Sequence, residues 1–235
     1  MYRYNMAKDS FTFKQFEVRQ DRCGMKVGTD GVLLGAWAIG GCRILDIGTG
    51  TGLIAMMMAQ RFPEAKIDAI DIDHDACIQA RENIAEAGFG DRVEVVETPL
   101  QQHSGEYDAI VSNPPFFENS LKAPEGKRSL ARHTDSLPVS ELLRSISSLL
   151  SPQGVFSVVI PMDMLPRYEE EAVFSRLYIA KVCKIKTVER KPAKRCMVMI
   201  QKQRPEAIIV EEQVLQTADC ERSAWYQQLT KDFYL

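Results

Sequence analysis

Nowhere in this 235-residue sequence do as many as about eighteen apolar residues follow one another, so no segment reads as a membrane-spanning helix. The opening stretch, Met1 to Arg19, mixes charges with aromatics and lacks the apolar core of a secretion signal. The expectation is a soluble cytoplasmic protein with no membrane partner; a monomer is expected as well. Six cysteines (Cys23, Cys42, Cys77, Cys183, Cys196 and Cys220) lie far apart, with no CxxC pair and no histidine at ligand spacing. That disfavours a disulfide framework or a zinc site, and no metal is expected. Histidine is scarce too: His74, His103 and His133 adjoin no serine or cysteine in a nucleophile motif, which disfavours a hydrolase.

An overall excess of positive charge is also missing, since the formal total is −3. The charge is nevertheless uneven. Between Lys181 and Arg204 nine basic residues face one acid, Glu189, a local charge of +8 that leaves −11 for the remainder. With 45% hydrophobic residues, the chain is long enough for one large core and too short for two full-size domains.

From Arg43 onward, short apolar runs alternate with helical patterns, as in a parallel sheet covered on both faces. Arg43 to Gly48, Lys66 to Ile72, Val93 to Thr98, Tyr107 to Asn113 and Gly154 to Pro161 are brief, apolar and bounded by Gly, Pro, Asp or Asn. Helices are expected at Thr51 to Arg61, His74 to Ala87, Leu142 to Leu150 and Met164 to Leu177. Two further strand-like runs, Val182 to Val188 and Arg195 to Lys202, read as an antiparallel hairpin closing the sheet. Before Arg43, the spacing of Phe11, Phe13, Phe16 and Val18 predicts a small hairpin, and Gly31 to Ile39 a short apolar helix. The expected fold is α/β: a doubly wound, mostly parallel sheet of seven strands with an antiparallel C-terminal hairpin strand. It forms one domain over residues 1–235, with an N-terminal extension (1–40), a core (41–205) and a C-terminal extension (206–235).

The first core strand ends in Gly48-Thr49-Gly50-Thr51-Gly52 and opens directly into a helix. Residues without a Cβ at a strand-to-helix turn let a ligand approach the backbone. A dinucleotide site has the spacing GxGxxG, whereas here the third glycine comes one place early and Leu53 holds the expected position. Asp46, just before the loop, would repel a pyrophosphate and suit a ligand carrying ammonium and sulfonium groups. Asp71 ends the second core strand nineteen residues beyond Gly52, where a carboxylate accepts ribose hydroxyls, and Ile72 is placed to cover an adenine face. Alone, such an aspartate is as often a helix cap. The third core strand ends Glu97-Thr98-Pro99-Leu100; the Leu100 amide can serve adenine N1, with Glu97 a weak substitute for the acid that would bind the amino group.

After the fourth core strand comes Asn113-Pro114-Pro115-Phe116. An amine conjugated with a ring is a poor nucleophile, so a site that methylates it must accept both N–H bonds and steer the nitrogen towards tetrahedral geometry. Asn113 Oδ1 and the Pro114 carbonyl suit that task, Pro115 helps lock the backbone, and Phe116 offers a face for an extruded base. An isolated tetrapeptide of this kind would read as a rigid loop exit. Asn113 also borders the donor site.

Asp46-Ile47-Gly48-Thr49-Gly50-Thr51-Gly52, then Asp71, then the Asn-Pro-Pro-Phe motif, in that order, resembles the S-adenosylmethionine-dependent amino-methyltransferases that act on adenine in nucleic acid. Phe16 to Trp37 and the ending Lys231-Asp232-Phe233-Tyr234-Leu235 look like the bacterial tRNA1(Val) adenine-N6 methyltransferases, which modify adenine 37 beside the anticodon. The resemblance implies a Rossmann-like methyltransferase sheet, S-adenosylmethionine as cofactor and a tRNA anticodon arm as partner. It also implies that the segment containing Gly28 and Thr29 lies over the methionine end of the donor; the plain alternative is that Thr29 or Asp30 caps the following helix. In this reading Arg190, Lys191, Lys194 and Arg195 hold phosphates, and Lys122, Lys127, Arg128 and Arg132 sit in a loop that closes on RNA. A solvated hairpin surface is the alternative for the basic run. Glutamine-N5 or guanine-N2 methylation, a non-catalytic RNA-binding scaffold and an NAD oxidoreductase remain as other readings of the same motifs.

Overall fold

The computed structural model describes residues 9–24, 26–115 and 137–235. A two-stranded antiparallel ribbon comes first, β1 (Ser10–Thr12) and β2 (Glu17–Arg19). Helix α1 (Thr29–Trp37) follows, then β3 (Arg43–Ile47), α2 (Leu53–Arg61), β4 (Lys66–Asp71), α3 (His74–Glu86), β5 (Val93–Glu97) and β6 (Tyr107–Ser112). The second half contains α4 (Val139–Leu149), β7 (Leu150–Pro161), α5 (Leu165–Phe174), β8 (Tyr178–Val188), β9 (Arg195–Gln201), β10 (Ile209–Gln216) and α6 (Ala224–Thr230).

Eight strands form the main sheet in the order β10-β8-β9-β7-β6-β3-β4-β5, and only β9 runs against the others. Apolar content explains the parallel part. β3 and β6 are buried almost throughout, as strands covered on both faces must be. On one face α1, α2 and α3 share a core with Ile44, Ile67, Ala109 and Val111; on the other, α4 and α5 pack with Leu45, Ile70, Ile110 and Phe156. Helix α2 is apolar all round because it is enclosed on every side: Met56, Met57 and Met58 are fully buried. Each such side chain contributes about 1.5–3 kcal/mol by leaving water.

The eighth strand corrects the expected count of seven. β10 lies within the C-terminal extension yet pairs in parallel with β8, from Ile209 beside Lys181 to Gln216 beside Val188. Its Glu211 and Glu212 give it a polar pattern that does not read as a strand, but Lys181 and Lys186 on β8 neutralise them at 2.8 and 2.5 Å. The same pairs consume part of the +8 block.

Both chain extensions are stitched to one another. The Lys14 amide donates to the Phe233 carbonyl at 2.8 Å, Lys14 Nζ to the Lys231 carbonyl at 2.6 Å, and Tyr234 stacks on Phe13. Among the described residues no helix is long and apolar enough to cross a membrane.

Candidate donor and acceptor site

Reversal of strand order around β3 builds the site. β4 lies on one side of β3 and β6 on the other, so the connections leaving β3 and β6 diverge and open a crevice at their carboxyl ends. Ile47 pairs with Ser112, the last residues of the two strands, and Ser112 Oγ donates to the Ile47 carbonyl at 2.9 Å. The glycine loop and Asn113 therefore emerge side by side.

The loop is held from beneath and left open above. Gly48 and Thr49 amides both donate to the Ile70 carbonyl, at 2.9 and 3.0 Å, and the Gly50 amide donates to Asp71 Oδ2 at 2.8 Å. Gly48, Gly50 and Gly52 have φ of 69°, 55° and 80°, a region where a Cβ is strained. A Cβ on Gly48 or Gly50 would meet nothing within 4 Å, whereas one on Gly52 would rest 3.4 Å from Ala80 and Ile84 of α3. The first two glycines thus front open space, and the third lets α3 pack.

Asp46 lies fully buried under the loop, where Oδ2 accepts from Thr49 Oγ1 at 2.7 Å and from the Ala55 amide at 3.1 Å. Oδ1 is also buried and has no partner among the described residues. Burial pushes its carboxyl up to about 7, against the opposing effect of those two hydrogen bonds. Asp71 is half-buried; besides holding Gly50 it accepts the Asp73 amide on Oδ1 at 3.0 Å, and each oxygen keeps a further lone pair. Asp73, not Asp71, caps α3, through the Asp75 and Ala76 amides. Ile72 is 60% exposed beside it, free to cover a flat ligand.

At the third core strand, the Leu100 side chain is buried, so its backbone is what a ligand could meet. Glu97 pairs with His74 Nδ1 at 2.7 Å, which raises the imidazole pKa. As a substitute adenine ligand Glu97 is thus already engaged.

Gly28 is the N-cap residue of α1 and no side chain caps it, so neither Thr29 nor Asp30 serves as a cap. Thr29 is exposed; Asp30 forms an ion pair with Arg195. A Cβ on Gly31 would lie 3.1 Å from Leu53 Cδ2 and 4.0 Å from Asn113 Nδ2, which puts the first turn of α1 against both the loop helix and the acceptor motif. Asn113 and Pro114 are half-buried and Pro115 is exposed; Phe116, Lys122, Lys127, Arg128 and Arg132 lie outside the described residues. Arg190, Lys191 and Lys194 are exposed in the turn between β8 and β9, while Arg195, expected beside them as a phosphate ligand, is engaged with Asp30.

Two positions are not evident from the sequence. Asn83 and Gln79, fully buried on α3, hold the segment that precedes α1. Asn83 accepts the Arg19 amide at 2.9 Å and donates to the carbonyls of Arg19 and of Thr51 in the glycine loop, both at 2.9 Å, while Gln79 accepts the Arg22 amide at 3.1 Å. Their spacing of one helical turn, on the face shared with Ala76, Ala80 and Ile84, is the available signal: two carboxamides on an apolar helix face need partners.

Residues 33–176 match the family model described as "Methyltransferase small domain". The chain is 45% identical over 235 residues to the tRNA1(Val) (adenine(37)-N6)-methyltransferase of Bacteroides thetaiotaomicron, covering 98% of this chain and 99% of that one. To the protein of the same name from Pectobacterium carotovorum it is 41% identical, covering 98% and 95%. Among solved structures, a predicted O-methyltransferase from Agrobacterium tumefaciens superposes with a TM-score of 0.67 at 18% identity, over 87% of this chain and 96% of that one. A methyltransferase from Pyrococcus furiosus gives 0.54 at 22%, over 73% and 80%. At these identities the two superpositions show the Rossmann-like methyltransferase fold.

S-adenosylmethionine is the methyl donor of this class, and the residues present fit it. The open glycines front a space for it, Asp71 stands at the strand tip with unused lone pairs, and the unpartnered oxygen of Asp46 is a carboxylate where a cationic ligand would be welcome. With that fold, that donor site and near full-length likeness, the chain belongs to the tRNA1(Val) (adenine(37)-N6)-methyltransferase family.

Proposed function

We propose that the protein methylates N6 of adenine 37 in tRNA1(Val), with Asn113 and Pro114 presenting the amine. The observation that carries this reading is the placement of Asn113 beside the glycine loop at the crevice between β3 and β6. The donor supplies an electrophilic methyl group on a sulfonium sulfur. Asn113 Oδ1 and the Pro114 carbonyl accept the two N–H bonds of the adenine amine, so that its lone pair turns out of the ring and towards the methyl carbon. An N–C bond forms as the S–C bond breaks, and the excess proton leaves the nitrogen for solvent. No strong base is required, and positioning supplies most of the rate. Gly28 and Thr29 border the methionine end, Gly48, Thr49, Gly50 and Gly52 the backbone cradle, Asp71 the ribose, and Ile72 with the Leu100 amide the adenine. Pro115 and Phe116 complete the acceptor motif, and Arg190, Lys191 and Lys194 contact phosphates of the anticodon arm. Lys122, Lys127, Arg128 and Arg132 would join them. The whole chain acts as one domain, a cytoplasmic monomer; the inclusion of β10 in the main sheet supports treating residues 206–235 as part of that unit.

Incubation with labelled donor and either unmodified tRNA or a release-factor protein tests the substrate. Label in N6-methyladenosine at position 37 is expected; label in the release factor, or in a guanine, refutes the reading. Asn113→Ala is expected to lower transfer at least about a hundredfold while donor affinity, measured by calorimetry, stays within about twofold.

A further inference from the structure

We propose that Arg195 is a positioning residue for methyl transfer: its ion pair with Asp30 fixes the first turn of α1 against the acceptor motif and joins that motif to the basic turn between β8 and β9. The proposal rests on the function proposed above and deepens it, by assigning a residue outside the site to the orientation of Asn113.

The first turn of α1 packs Gly31 and Val32 into the core, and the Val27 amide ahead of it donates to Gln20 Oε1 at 2.8 Å, but the helix end itself has no side-chain cap. Gly28 brings no capping side chain, and a helix end whose amides have no partners tends to fray. Its neighbours make fraying consequential, because Gly31 sits close against Leu53, the first residue of the loop helix, and faces the Asn113 carboxamide. A shift of this turn by an ångström would remove the wall on which the acceptor asparagine rests.

An anchor for that end comes from far along the chain. Asp30 is paired with the Arg195 guanidinium, 165 residues away, and both side chains are about one-third exposed, at 32% and 38%. Arg195 is itself immobilised: it is the first residue of β9, flanked in register by Pro161 of β7 and Ile185 of β8. The Lys194 carbonyl just before it accepts the Met162 amide at 3.0 Å. Arg195 therefore reaches from a strand held on both sides to the capless end of a helix whose buried face, Gly31 to Leu34, is packed in the core.

Charge separates this role from phosphate binding. A guanidinium already matched by a carboxylate contributes no net positive charge to an incoming backbone, whereas Arg190, Lys191 and Lys194 are exposed and form no ion pair among the described residues. Those three immediately precede Arg195, so the place where RNA would be gripped and the place where the amine would be presented are joined through one residue.

The test uses full-length Asp30→Asn, Arg195→Ala, the double variant, the swapped pair Asp30→Arg with Arg195→Asp, and Arg195→Lys as a milder change. Each is assayed for kcat and KM with unmodified tRNA, for donor affinity, and for hydrogen exchange of the amides of residues 29–34 without RNA. Each single removal is expected to lower kcat about tenfold with KM for tRNA and donor Kd within about twofold. The double variant should be no worse than either single one, the swapped pair should recover most of the activity, and exchange in the α1 turn should speed up in both single variants. A raised KM with unchanged kcat in Arg195→Ala, together with a silent Asp30→Asn, makes Arg195 a phosphate ligand and overturns the proposal. Additive effects on kcat, or unchanged exchange, overturn it too. If the wild type transfers nothing to tRNA but exchange responds to both variants, the substrate reading fails and the coupling of Arg195 to α1 stands.

Discussion

Replacing Asp46 with asparagine should make the free protein more stable and its donor binding weaker, at a pH set by the carboxyl itself. In the folded chain burial pushes this group from the ordinary carboxylate value of 3.8 to about 7. Between those two values the folded state therefore holds a proton that the unfolded state has lost, and stability falls as pH rises. The cost is absent below about pH 4 and fully present above about pH 7. A shift of roughly three units corresponds to about 4 kcal/mol, of the order of the total stability margin of many domains. Asparagine keeps the shape and can still accept from Thr49 Oγ1 and the Ala55 amide, but it carries no charge to bury. Urea denaturation at about pH 5 and about pH 8 should show Asp46→Asn gaining about 1–4 kcal/mol over wild type at the higher pH and roughly a third of that at the lower. Calorimetry should show the opposite sign for the donor, with affinity reduced at least about tenfold, because the unpartnered oxygen is where a cation offsets the burial. For the wild type near neutrality, donor binding should expel a proton, so the apparent binding heat should change with the ionisation heat of the buffer. A variant that is less stable than wild type at the higher pH, or that binds donor equally well, would refute this account of Asp46.

Three other outcomes are expected. Asp71→Ala should weaken donor binding by about 1.5–3 kcal/mol in calorimetry, since it removes a charged acceptor and also frees the Gly50 amide; equal affinity in variant and wild type would count against the ribose role. Neutralising Arg190, Lys191 and Lys194 together should flatten the dependence of log K for tRNA on log salt by about 0.7–0.9 for each phosphate no longer neutralised, without changing donor Kd; an unchanged slope would remove this turn from the RNA surface. Asn83→Ala should cost about 1–3 kcal/mol in thermal or urea unfolding and raise the KM for donor, because the Arg19 and Thr51 carbonyls lose their shared partner. A change in stability with no change in KM would confine Asn83 to holding the fold.

How much is legible in the residues follows from the range over which each feature is decided. The glycine loop, Asp71 and Asn-Pro-Pro are local: turn chemistry within a few residues sets the backbone, and the βα alternation places each at a strand end. The hairpin of β8 and β9 is visible for the same reason. β10 is not, because Glu211 and Glu212, partly exposed on an edge strand and paired with lysines some thirty residues earlier, break the alternation of apolar residues that marks a strand. Arg195 reads as one member of a basic run, since nothing near it in sequence reveals Asp30. Glu97 reads as a spare carboxylate, although His74 across the strand tip already holds it. Gln79 and Asn83 read as ordinary polar positions on an amphipathic helix; only the packing of residues 19–22 across α3 turns them inward.

The position of β9 constrains how the molecule assembles. Because it lies between β7 and β8, although it follows both in the chain, β8 attaches to the rest of the sheet only through β9. The two can pair first as a ribbon, a local event on the microsecond scale for hairpins, and dock together along β7, or β9 can dock on β7 and offer β8 its new edge. By either route, mutations that weaken the pairing of β9 with β7 would delay completion of the β8 and β10 edge and the arrival of the Arg195 side chain in the same step.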